Sequence, residues 1–158
     1  DGPACRGHVD GEVLVAGSYK EKLFGISTID GDRLWSFNAG NFINSHHASA
    51  GSTHLWSPTG WIYAIDNANG SVRWRHQTTD YDSTGGNWAS LMAELVTQNG
   101  LLYALAMDDV LHVLDIRDGA ERLRAAVPGR VRHAVLPLDG KGLAFPMMGG
   151  DLLITQHT

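Results

Sequence analysis

Two groups of residues in this sequence have the types and spacing to do chemistry. His8, the adjacent pair His46-His47 and His133 recur ahead of similar apolar runs. Imidazoles that converge would offer ligands to Zn2+ or Cu2+. The segment Thr79-Asp80-Tyr81-Asp82-Ser83-Thr84-Gly85-Gly86-Asn87-Trp88 sets two carboxylates beside two aromatics and a glycine pair. Loops on a rigid scaffold often carry binding, and Tyr and Trp are frequent interface anchors. No nucleophile–base arrangement stands out: serines are scattered, and neither a G-x-S-x-G elbow nor a G-x-x-x-x-G-K phosphate loop occurs. Asp108-Asp109 and Met147-Met148-Gly149-Gly150 read as turns between strands.

The elements that must position these residues are repeated. Phe24–Trp35, Tyr63–Trp74 and His112–Leu123 align without gaps, and their glycines Gly31, Gly70 and Gly119 lie 39 and then 49 residues apart. In each copy an alternating apolar run, such as Trp61-Ile62-Tyr63-Ala64-Ile65, predicts a strand. Asp30-Gly31, Asn69-Gly70 or Asp118-Gly119 then accepts the positive φ of a tight hairpin turn. A second strand follows and places Trp35, Trp74 or Leu123 four residues after the glycine. An earlier hairpin precedes each copy, so one unit is four antiparallel strands in about 40 residues, the length of a propeller blade. The predicted fold is all-β, a β-propeller segment of four-stranded antiparallel blades, three complete and a fourth lacking its outer strand. The blades span 3–40, 41–79, 88–128 and, in part, 130–158.

This placement bears on the candidates. His8, His46-His47 and His133 fall in the first strand of their blades, which lines a propeller's central channel. Neighbouring residues on a strand face opposite sides, so only one of His46 and His47 points inward. The third blade offers Met92 or Glu94 there. Polar lining bonded to water or backbone is the ordinary reading, so no metal is assigned and the four histidines stand only as candidates. For the loop, Asp80, Tyr81, Asp82 and Trp88 are candidate partner-binding residues; the competing reading packs Trp88 under its blade and leaves the acids solvated.

The 158 residues are 43% hydrophobic and 18% charged, enough for one globular domain with a core. Nineteen glycines against five prolines fit many short strands joined by turns. A net charge of −5 argues against a general nucleic-acid or anionic-membrane binder. The run Arg117, Arg122, Arg124, Arg130 and Arg132 reads as solvated outer-strand charge. Cys5 is the single cysteine, so no internal disulfide forms and compartment cannot be read from cysteine usage. The apolar stretch Leu101 to Met107 is too short to cross a bilayer, and Asp1-Gly2-Pro3-Ala4 is not a signal peptide.

The second copy, Ala64-Ile65-Asp66-Asn67-Ala68-Asn69-Gly70-Ser71-Val72-Arg73-Trp74, resembles the tryptophan-docking motif of pyrroloquinoline-quinone-type (PQQ-like) propeller repeats, A-x-D-x-x-T-G-x-x-x-W. Asn69 stands for the usual threonine. The first copy keeps Gly31 and Trp35 but has Gly25 and Ser27 for the Ala and Asp. The third keeps Asp115 and Gly119 but has Val113 and Leu123. The resemblance implies that the tryptophans dock between neighbouring blades, giving Trp35, Trp74, Leu123, Gly31, Gly70 and Gly119 a structural role. Functionally it implies a non-catalytic scaffold or protein-interaction module outside the cytoplasm, completed by further blades, a protein partner or a second copy. The alternative it implies is a fragment of a quinoprotein dehydrogenase with PQQ and calcium. Such enzymes use a full ring of blades and adjacent cysteines; this sequence has one cysteine and no convincing set of oxygen ligands for Ca2+.

Overall fold

The computed structural model describes residues 7–17, 22–39, 46–57, 60–78, 94–106, 110–127, 131, 134–139, 142–147 and 149–155. Fifteen strands among them form four antiparallel sheets in chain order. The first sheet holds β1 (His8–Asp10), β2 (Val13–Gly17), β3 (Lys22–Ser27) and β4 (Arg33–Asn38). The second holds β5 (His46–Ala50), β6 (Thr53–Ser57), β7 (Trp61–Asp66) and β8 (Val72–Gln77). β9 (Val96–Gln98), β10 (Leu101–Leu105), β11 (Val110–Asp115) and β12 (Glu121–Ala126) make the third. The fourth has three strands, β13 (Leu136–Pro137), β14 (Leu143–Pro146) and β15 (Leu152–Thr155). Each strand pairs with its sequence neighbour, which is the up-and-down order of propeller blades.

The core lies between sheets rather than within one. Val15, Leu23 and Trp35 of the first meet Trp56, Tyr63 and Ile65 of the second. From the second sheet's other face, Leu55, Ile62, Ala64 and Trp74 meet Leu102, Ala104 and Leu114 of the third. Leu105, Leu111 and Val113 of the third then meet Leu143 and Phe145 of the fourth. Strand alternation explains how one strand serves two interfaces: along β7, Tyr63 and Ile65 face backward while Ile62 and Ala64 face forward. Both faces of the middle strands are therefore apolar, and β6 is buried at every residue. A lone sheet could not shelter both faces from water; a stack of sheets does.

The last hairpin of each complete blade is longer than a two-residue turn. Gly31, Gly70 and Gly119 donate their backbone N–H to the carbonyls of Ser27, Asp66 and Asp115, closing four-residue loops. Only the glycine of each dipeptide takes a positive φ, of 80°, 73° and 72°. The preceding Asp30, Asn69 and Asp118 act through their side chains instead, each Oδ1 accepting from the N–H two residues on, at 3.1, 2.8 and 2.9 Å. A register shift follows at the same point in each blade, after Gly25, Ala64 and Val113. This bulge turns the outer strand so that Trp35, Trp74 and Leu123 pair with Gly25, Ala64 and Val113.

Candidate functional site

The residues singled out by the repeat meet across the blade interfaces. Trp35 of β4 lies against the turn of the next blade, where its indole N–H donates to the Asn67 carbonyl at 2.9 Å. Trp74 of β8 does the same one blade on, donating to the Ile116 carbonyl at 2.7 Å. Each ring covers the turn glycine ahead of it: a Cβ on Gly70 would fall 2.5 Å from the Trp35 ring, and one on Gly119 would fall 2.7 Å from Trp74. The cross-strand partners are graded in size. Gly25 leaves no room for a methyl group beneath Trp35, Ala64 sits opposite the more deeply buried Trp74, and Val113 sits opposite the smaller Leu123. Leu123 itself remains 42% exposed.

Other polar residues of the motif tighten the same turns. Asp66 accepts from Ala68 N–H and pairs with Arg73 at 2.6 Å, and that guanidinium also reaches Thr53 and Ser52. Asp115 accepts from Arg117 N–H and pairs with Arg117 and Arg122. Hydrogen bonds from the two guanidinium groups hold the Asp115 carboxyl far below the usual carboxylate range. In the first blade, Ser27 and Leu34 replace this acid–arginine pair together, and the Ser27 hydroxyl accepts from Ile29 N–H. Buried Asn67 adds a second link between blades, its amide donating to Asp10 at 2.9 Å.

Residues 58–156 match the family profile described as outer membrane protein assembly factor BamB. The chain belongs to the PQQ-like propeller repeat family. Among solved structures it is similar to BamB from Moraxella catarrhalis, with 15% identity and a TM-score of 0.70 over 92% of this chain and 46% of that one. It is similar to the computationally designed Ika4 protein, with 12% identity and a TM-score of 0.69 over 100% of this chain and 95% of that one. A europium-containing methanol dehydrogenase matches 78% of this chain with 24% of its own, at 12% identity and a TM-score of 0.65. No curated protein matches. At such identities the likenesses show the fold, and the chain spans about half the length of that BamB.

Within this propeller the histidines separate into two places. On the inner strands, half-buried His47 lies beside His54 of β6, their ring centroids 5.2 Å apart and their planes tilted by 42°. His54 is fully buried, and neither ring nitrogen finds a hydrogen-bond partner among the described residues. Burial above all, with the neighbouring His47 and His8, pulls its pKa down to about 3, so it is neutral at pH 7. Sequence reasoning missed His54 because it sits on the second strand, outside the first-strand positions that marked the others. The His46 side chain and His133 lie outside the described residues, as do Met92 and Asp80, Tyr81, Asp82 and Trp88 of the long loop. Glu94 is exposed and precedes β9.

The second place is between the outer strands of the middle blades. His76 of β8, His112 of β11 and Glu121 of β12 bring three donor atoms within 4.8 Å of one another, the only such group among the described residues. Nothing in the sequence joined them, because His76 lies on a different blade from His112 and Glu121 and none of the three is on a strand associated with the channel. Calcium takes six to eight oxygen ligands. The described residues do not gather such a set: Asp66 and Asp115 are committed to arginines, Asp10 to Asn67, and the one donor cluster is nitrogen-rich. Among the described residues there is therefore no set that fits a PQQ–calcium centre.

Proposed function

We propose that this chain is part of a non-catalytic PQQ-like propeller that works outside the cytoplasm as a scaffold or protein-interaction module. The observation that supports this reading most is where the motif's chemically capable residues are spent. Asp66, Asp115, Arg73, Arg122, Trp35 and Trp74 are all engaged in capping turns or joining one blade to the next. The family profile's own description, an outer membrane protein assembly factor, accords with it. The loop bearing Asp80, Tyr81, Asp82 and Trp88 is the proposed recognition surface. No helix among the described residues is long and apolar enough to cross a membrane.

The end blades present apolar faces to be covered. On the first, Leu14, Phe24, Ile26 and Leu34 alternate with the residues that pack on the second blade, and Leu34 is 52% exposed. On the fourth, Leu136, Leu152 and Ile154 are 47%, 59% and 53% exposed. Such faces invite further blades of a longer chain, or a second copy that completes the ring. Static light scattering on the purified chain is expected to show association; a monodisperse monomer would contradict ring completion by a second copy.

The likeness to a methanol dehydrogenase favours a second reading, a fragment of a PQQ- and calcium-dependent quinoprotein dehydrogenase. Dye-linked oxidation of alcohols or sugars after addition of PQQ and Ca2+ separates the two. The scaffold reading expects none, and turnover above a heat-killed control would overturn it.

A further inference from the structure

We propose that His76, His112 and Glu121 form a binding site for a zinc-class divalent cation that clips the second blade to the third. The three side chains converge from both blades. Glu121 begins β12 on the turn side of the register shift, with its Oε1 2.6 Å from His112 Nδ1 on the neighbouring strand. His76 reaches across from β8, with Nε2 3.6 Å from the same oxygen and its ring edge-on to His112 at 5.4 Å between centroids. Zinc bonds of about 2.0–2.2 Å to nitrogen and oxygen in a tetrahedron place donors roughly 3.3–3.5 Å apart. The two separations bracket that value, so closure on an ion needs shifts of about an ångström.

Burial favours a ligand role over an ordinary ion pair. The His112 side chain is fully buried, while His76 and Glu121 retain 19% and 29% of their exposure, which leaves an open side for a fourth ligand such as water. Nε2 of His76 is buried and makes no hydrogen bond among the described residues, Glu121 Oε1 standing 3.6 Å away, and a buried nitrogen left so is costly unless something binds it. An ion on His112 Nδ1 would take the place of the hydrogen bond to Glu121, with the ring's single proton carried on Nε2. Two nitrogens and one carboxylate suit Zn2+ or Cu2+ better than Ca2+ or Mg2+.

The test uses tag-free chain, stripped with chelator, titrated with ZnCl2 by calorimetry and followed by thermal melting. One equivalent is expected to bind and to raise the melting temperature. Glu121→Gln, which keeps the size and an acceptor oxygen, and His76→Ala are each expected to weaken zinc binding at least tenfold and abolish the thermal gain. His47→Ala on the inner strands is expected to leave both unchanged. Absence of zinc uptake by the folded chain overturns the proposal. So does uptake that survives both outer-strand substitutions, or that is lost with His47→Ala.

Discussion

Substituting alanine at equivalent turn glycines separates the worth of the blade contact from the worth of the turn. Gly31 and Gly70 occupy the same turn position with φ of 80° and 73°, so alanine meets the same backbone penalty at both, about 1–2 kcal/mol. The surroundings differ. A Cβ on Gly31 meets nothing within 4 Å, whereas one on Gly70 falls 2.5 Å from the Trp35 ring. That ring is held by its bond to the Asn67 carbonyl and packs above Gly25, so it has little freedom to retreat. Overpacking of this kind typically costs about 1–3 kcal/mol. Gly31→Ala is therefore expected to destabilise by about 1–2 kcal/mol and Gly70→Ala by about 2–5 kcal/mol. Urea unfolding followed by far-ultraviolet circular dichroism reads both without relying on tryptophan fluorescence. Adding Trp35→Ala completes the comparison: coupling of about 1–3 kcal/mol is expected with Gly70→Ala and near zero with Gly31→Ala. Equal losses at the two glycines, or no coupling between Gly70 and Trp35, would refute docking as the source of the difference.

Three further outcomes follow from the geometry. Truncating the repeated outer-strand residue should cost most at buried Trp74, about 3–5 kcal/mol, less at half-buried Trp35 and least at Leu123, which is 42% exposed; melting curves of the alanine variants check the order. Stability should fall with acidification because the unfolded chain protonates His54 near pH 6.5 while the folded chain resists until about pH 3. The His54 contribution is whole above pH 6.5 and drops by about 1.4 kcal/mol at about pH 5.5, a loss that His54→Leu should remove from the pH dependence of the urea midpoint. Arg73→Leu, the residue type that Leu34 supplies in the first blade, should cost less than about 1 kcal/mol, because the Arg73–Asp66 pair is partly exposed; chemical unfolding of the variant measures it.

The fold was legible because each blade repeats a strand pattern and a turn at a fixed offset, and three copies in register leave little freedom. The turn itself was less legible. Asp-Gly and Asn-Gly suggest a tight hairpin, yet the Asx side chains of Asp30, Asn69 and Asp118 hold the chain in a longer loop. The acid–arginine pairs were written in the sequence as Asp66 with Arg73 and Asp115 with Arg122, at one spacing, but they emerge only when blades are compared with each other. Inter-blade partners had no such signal. Asn67 with Asp10, and His76 with His112, depend on how separate sheets lean together, which no periodicity along one strand encodes.

The stacking of blades through their tryptophans is most directly tested by nuclear Overhauser contacts in the labelled chain. Cross-peaks are expected from the Trp35 ring to the Gly70 α-protons and from the Trp74 ring to those of Gly119, with both indole N–H groups slow to exchange. Indole protons that exchange at solvent rates, with neither ring near the next blade's glycine, would contradict it.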